Sequence, residues 1–114
     1  MEKKNFDYDE ISDSLIISRK QSDDKVQGSA EIGNLIIDFT SSGKIVNVEF
    51  QKISQFLEMM KINPKILNEL TEASLIVQKQ KDAVSLFAIL KTPVLQQPLP
   101  LATIPIKRRL FSSV

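Results

Sequence analysis

The chain contains no histidine, no cysteine and no tryptophan, and only three glycines and one tyrosine among its 114 residues. Without cysteine there is no disulfide, no thiolate nucleophile and no Cys/His zinc site. Without histidine there is neither a Ser-His-Asp triad nor imidazole acid/base chemistry. Catalysis would have to draw on carboxylates, lysines, hydroxyls and Tyr8 alone. Gly28, Gly33 and Gly43 lie far apart and form no Gly-x-Gly or Gly-Lys-Ser/Thr phosphate cradle, which argues against nucleotide hydrolysis. No run approaches the roughly 18 consecutive apolar residues of a membrane span, and the start Met1-Glu2-Lys3-Lys4-Asn5 is followed by no apolar signal core. The expectation is a cytoplasmic protein without a membrane contact and without a cofactor.

What the chain does have is 42% hydrophobic and 25% charged residues, enough apolar material for one core at a common single-domain size. The net charge of +1 hides an asymmetry. Residues 1–50 carry six Lys/Arg against ten Asp/Glu, whereas residues 51–114 carry nine against four. An acidic half opposes the sustained positive field that phosphate binding needs, which argues against a nucleic-acid partner. Halves of opposite sign are suited to attract one another, within a monomer or across a homodimer.

Periodicity divides the chain into two β segments around a helical one. Phe6 and Tyr8 alternate with Asp7 and Asp9, and Leu15-Ile16-Ile17 reads as a partner strand. A polar loop from Lys20 to Ser29 leads to a strand in which Leu35, Ile37 and Phe39 share one face. Thr40-Ser41-Ser42-Gly43 supplies turn chemistry, and Val46, Val48 and Phe50 give the returning strand its apolar face, so these strands predict an antiparallel meander. Ile53, Phe56, Leu57 and Met60 then fall at the spacing of an amphipathic helix, and Asn63-Pro64 reads as the start of a second, with Ile66, Leu67 and Leu70 on one face. Strands resume at Leu75-Ile76-Val77 and at Ala83 to Leu90, the latter apolar on both parities as a strand covered on both faces would be. Pro93, Pro98, Pro100 and Pro105 make the last segment an edge strand.

Three groups could carry chemistry or contacts. The acidic segment Asp7 to Asp13 has oxygen ligands for a hard cation, but Ser12 stands where a calcium loop needs Gly, and its simpler role is a turn whose carboxylates bond backbone N–H groups. Asp38 and Glu49, on adjacent strands, could form a carboxylate pair, or could be outward-facing residues of half-exposed strands. Met59 lies off the helix stripe, and Lys107-Arg108-Arg109 is the sole basic cluster, in a tail over residues 107–114; both are candidate partner contacts. No residue is put forward as a catalytic, cofactor or metal group.

Two stretches carry a family resemblance. Phe6-Asp7-Tyr8-Asp9-Glu10-Ile11-Ser12-Asp13-Ser14-Leu15-Ile16-Ile17, and Leu35 to Phe50 running into Ile53-Ser54, resemble the small prokaryotic proteins known as the domain of unknown function 2283 family. The motif positions are Tyr8, Asp9, Asp13, Asp38, Gly43 and Glu49; this chain has Asn47 where the family often has Gly. The resemblance covers residues 6–56 and implies a small meander with a helix. Because some members are encoded beside toxin-like proteins, it also implies an antitoxin or partner-binding role for part of the family.

These observations together predict one α+β domain over residues 1–106, with a mainly antiparallel sheet of about six or seven strands and two short helices between two β segments. The family-like meander and helix occupy 6–56, and a helix, hairpin and proline-rich edge strand occupy 63–106. The expected function is a non-enzymatic binding or assembly module acting through protein contacts or as a homodimer. An antitoxin-like regulator and a carboxylate-dependent hydrolase or metal-dependent enzyme are the alternatives.

Overall fold

The computed structural model describes residues 4–105. The alternation at Phe6/Tyr8 and Leu15/Ile17 becomes a hairpin of β1 (Phe6–Asp9) and β2 (Ser14–Ser18). Then come β3 (Gly28–Ile32), β4 (Leu35–Phe39) and β5 (Ile45–Gln51), and the second half contributes β6 (Glu72–Lys79), β7 (Ala83–Lys91) and β8 (Gln96–Pro105). Between them lie the helix α1 (Ile53–Met59) and a 3-10 helix over Pro64–Asn68. Every strand pair is antiparallel, in two sheets of order β1-β2-β5-β4-β3 and β6-β7-β8.

The α+β class stands, while the counts change: among the described residues there are eight strands in two sheets, one α-helix and one 3-10 helix. The added strand, β3, begins inside the stretch that reads as polar loop. Gly28-Ser29-Ala30-Glu31-Ile32 lacks the apolar alternation of a core strand because it is an edge strand, mostly exposed, held by β4 alone. Nor is the first half a simple meander. Leu15 stands opposite Phe50 and Ile17 opposite Val48, so β2 pairs with β5, and the chain crosses to the far edge before returning through β3, β4 and β5. The crossing loop is pinned to the β4–β5 turn, where Arg19 Nε donates to the Ile45 carbonyl at 2.7 Å and Lys44 Nζ meets Asp24 at 2.8 Å. That hydrogen bond from Lys44, helped by the Gln21 N–H, holds the Asp24 carboxyl below its ordinary range.

The helical segment is shorter than its stripe suggests because α1 is stopped by a Schellman motif. Lys61 takes φ +60, its N–H donates to the Glu58 carbonyl at 3.0 Å and the Ile62 N–H donates to the Leu57 carbonyl at 2.8 Å. Asn63 then caps the next turn, its side chain accepting from the Lys65 N–H at 3.0 Å with Pro64 at the first position. A 3-10 turn is enough there, since it already buries Ile66 and Leu67.

One cluster of buried side chains draws on both sheets and on α1: Leu15, Ile37, Val48, Phe50, Ile53, Leu57, Leu75, Leu86, Leu90 and Leu99 all belong to it. Phe50 and Phe56 pack with centroids 4.9 Å apart. Strand β8 is the expected edge strand, with Leu99 fully buried between exposed Pro98 and Pro100. Strand β7 departs from expectation. Leu86, Ala88 and Leu90 are buried, but Phe87 and Ile89, on the opposite parity, are only half-buried. On that parity only Ser85 is buried, beside Thr103 of β8.

Candidate functional site

The motif residues separate into three structural groups. In the first, the β1–β2 turn delivers Asp13, at φ +55, to the start of α1. Its carboxylate accepts from the Ser54 N–H at 3.1 and 3.2 Å, from the Ser54 hydroxyl at 2.6 Å and from the Tyr8 hydroxyl at 2.8 Å. The Asp13 carbonyl also accepts from the Ile53 N–H at 3.1 Å. Lys52, the residue preceding the helix, supplies no side-chain cap, so Asp13 acts as the N-cap across 41 residues of sequence.

The electrostatics of this cluster suit a latch better than an acid or base. Burial acts to raise the Asp13 carboxyl, but the Ser54 hydroxyl, the Tyr8 hydroxyl and the Ser54 N–H outweigh it and hold it below its ordinary 3.8. Burial first, and then the hydrogen bond to Asp13, push the Tyr8 phenol up to about 12. A carboxylate that weakly basic is a poor proton acceptor, and a phenol that high is a poor donor near neutrality. The cleft beside them, about 390 Å3 and lined in part by Glu10, Glu58 and Lys65, is open and polar. Among the described residues, no group of three or more carboxylates gathers at a spacing that could hold a metal ion.

The second group serves turns. Asp9 accepts from the Ile11 N–H at 3.0 Å. Gly43, at φ +85, donates its N–H to the Thr40 carbonyl at 2.9 Å. The expected solvated role of the acidic segment holds for Asp9, whereas Asp13 is half-buried and committed to α1.

The third group occupies the outer face of the five-stranded sheet. The register places Asp7, Ile16, Glu49, Ile36 and Glu31 in one row across it, with Asn47, Asp38 and Ser29 in the next. Asp38 accepts from the Ser29 hydroxyl at 2.6 Å and from Asn47 Nδ2 at 3.1 Å. Asn47 therefore puts an amide directly onto this carboxylate. Ile16, Ile36, Asp38, Asn47 and Glu49 line a groove of about 210 Å3. The five strands contain no Lys or Arg. Ile16 keeps 40% of its surface exposed there.

Of the candidate contacts, Met59 is 80% exposed beside half-exposed Met60, while Lys107, Arg108 and Arg109 lie outside the described residues. Sequence reasoning names Ser54 only as the end of the family-like stretch, without a role, and misses Asn5. Asn5 Nδ2 donates to the Ser18 carbonyl at 3.1 Å and to the Ala73 carbonyl at 2.8 Å, joining the two sheets. No local pattern marks either residue, because each acts on a partner distant in sequence.

Residues 5–54 match the model of a family described as a protein of unknown function, DUF2283. The DUF2283 segment contains all six motif positions, begins at the residue that bridges the sheets and ends at the residue that completes the Asp13 latch. No curated protein and no solved structure matches the chain.

Proposed function

We propose that the protein is a non-enzymatic binding module whose DUF2283 segment presents the outer sheet face to a basic protein partner. The observation that carries this reading is the composition of that face: Asp7, Glu31, Asp38 and Glu49 interleaved with Ile16 and Ile36, on strands without a cation. Carboxylates of one sign steer a basic partner and set its orientation, and aliphatic side chains between them give it surface to bury. The antitoxin-like reading draws on the same feature, since it calls for a small basic toxin as partner. An enzymatic role draws less support, because the most perturbed groups, Tyr8 and Asp13, bond each other and the start of α1.

The test is parallel capture from the source organism by the wild-type chain and by the Asp38→Lys/Glu49→Lys variant, read by mass spectrometry. The expected result is one or more basic proteins recovered by the wild type and lost from a variant with an unchanged circular dichroism spectrum. Recovery of the same proteins by both would remove the outer face from the account.

A further inference from the structure

The two sheets have four edges, and three of them are blunted against pairing. Strand β8 carries Pro98, Pro100 and Pro105, which have no N–H to offer. On β6, the Ala73 carbonyl near one end is taken by Asn5, and Lys79 stands exposed at the other end. Strand β1 is only four residues long and carries Asp7 and Asp9. The fourth edge, β3, is the least protected: Gly28-Ser29-Ala30-Glu31-Ile32 contains no proline, no lysine and a single charge, and is exposed along nearly its whole length. Val26, two residues before the strand begins, and Ile32, its last residue, are 44% and 36% exposed.

The ladder fixes which backbone groups of β3 are free. The Gln51 N–H donates to the Asn34 carbonyl at 2.8 Å, so the Leu35/Phe50 pair lies between hydrogen bonds and Leu35 turns its own N–H and C=O toward β3. Leu35 stands opposite Ile32 across a two-residue turn with Gly33 at φ +57 in its first central position, as a II′ turn requires. Alternation then directs the backbone groups of Ile32, Ala30 and Gly28 to β4 and leaves those of Ser29 and Glu31 facing outward.

We propose that β3 is the seam of a homodimer in which two copies pair antiparallel about Ala30. In that register Ser29 stands opposite the partner's Glu31, and each such pair exchanges both backbone hydrogen bonds. No carboxylate meets a carboxylate, because Glu31 faces a hydroxyl. On the inner face Ile32 stands opposite the partner's Gly28. Glycine is apt there: the Phe39 ring lies 3.1 Å from where a Cβ at Gly28 would be, so the ring reaches the edge where Ile32 arrives. The two-fold axis runs perpendicular to the sheet, which joins the two outer faces into one doubled acidic surface. The seam goes beyond the proposed partner reading, and either can fail without the other.

The test is sedimentation velocity on the full chain over a dilution series, with amide exchange recorded at its two ends. An interface of one short strand belongs to the weak class, so the series should reach about 1 mM. The expected result is a monomer–dimer equilibrium in which the Ser29 and Glu31 amides become slower to exchange as concentration rises, while Ala30 and Ile32, bonded to β4, do not respond. Ser29→Glu sets like charges opposite each other twice and should weaken the dimer about two- to thirtyfold; Ser29→Lys should strengthen it. The double variant Ser29→Glu/Glu31→Lys should restore it. Circular dichroism verifies that each variant folds. A chain that stays monomeric to about 1 mM, or a dimer indifferent to the charge at position 29, overturns the proposal.

Discussion

Replacing Asp13 with alanine strands three donors at once. The start of α1 loses its cap, which costs about 1 kcal/mol. The Ser54 and Tyr8 hydroxyls, bonded at 2.6 and 2.8 Å, each lose a charged acceptor in a half-exposed setting, at about 0.5–1 kcal/mol apiece. Alanine also tolerates φ +55 less well than aspartate, adding up to about 1 kcal/mol. The expected loss is therefore about 2–4 kcal/mol, or a melting temperature lower by roughly 8–15 °C for a domain of this size. Urea unfolding followed by circular dichroism is the suitable assay, since the chain has no tryptophan. Asp13→Asn keeps an acceptor and the backbone preference, so it should cost about half as much. Asp13→Gly removes the backbone strain without restoring the acceptor and separates the two contributions. A Tyr8→Phe/Asp13→Ala double-mutant cycle should show coupling of about 0.5–1.5 kcal/mol. A loss below about 0.5 kcal/mol in Asp13→Ala, within the range of an ordinary surface change, would show that the latch contributes nothing.

Protonation supplies a second prediction. The Asp13 carboxyl lies below 3.8 in the folded protein, so its stabilising contribution is fully present above that value and is lost as pH falls through it and below; Asp13→Asn should flatten the acid limb of a stability–pH curve. The Tyr8 phenol moves from 10.0 to about 12, so its contribution is complete below pH 10 and is lost as pH rises between the two values, a limb that Tyr8→Phe should abolish. Lys61→Gly should stabilise the protein by about 1 kcal/mol in urea unfolding, because φ +60 at the end of α1 suits glycine. Asp38→Ala with Glu49→Ala should leave the fold intact at a cost under about 1 kcal/mol; a chain that failed to fold would give these carboxylates a role the hydrogen bonds do not support. Leu99→Ala, although in an edge strand, should cost about 2–5 kcal/mol, since that side chain is fully buried.

Much of the fold is legible because one-sided burial writes itself into parity. Leu35, Ile37, Val46, Val48 and Phe50 read correctly as an inner face, and Gly43 as a turn residue. Strand β3 is illegible because an edge strand facing solvent needs no apolar code. The β2–β5 pairing is illegible because register between distant strands depends on how inner faces fit, and β4 offers β2 the same alternation as β5 does. Both parities of β7 are apolar, yet periodicity cannot tell a second cover from a half-open face. At the site, Asp13 stands out as one of several acids in a turn, but its partners are fixed only when the turn and α1 meet. The outer face emerges from five strands at once, so Asp38 and Glu49 are visible singly and the rows they belong to are not.

The match to the family ends at Ser54, where Asp13 receives its last donors. The segment thus carries, in its own first turn, the socket that sets the direction in which the chain leaves it. In this chain α1 departs anchored at its first turn, at an angle that Asp13 fixes from outside the helix. Capping from 41 residues upstream makes α1 a joint whose direction is set in the first turn and whose buried face is shared with both sheets.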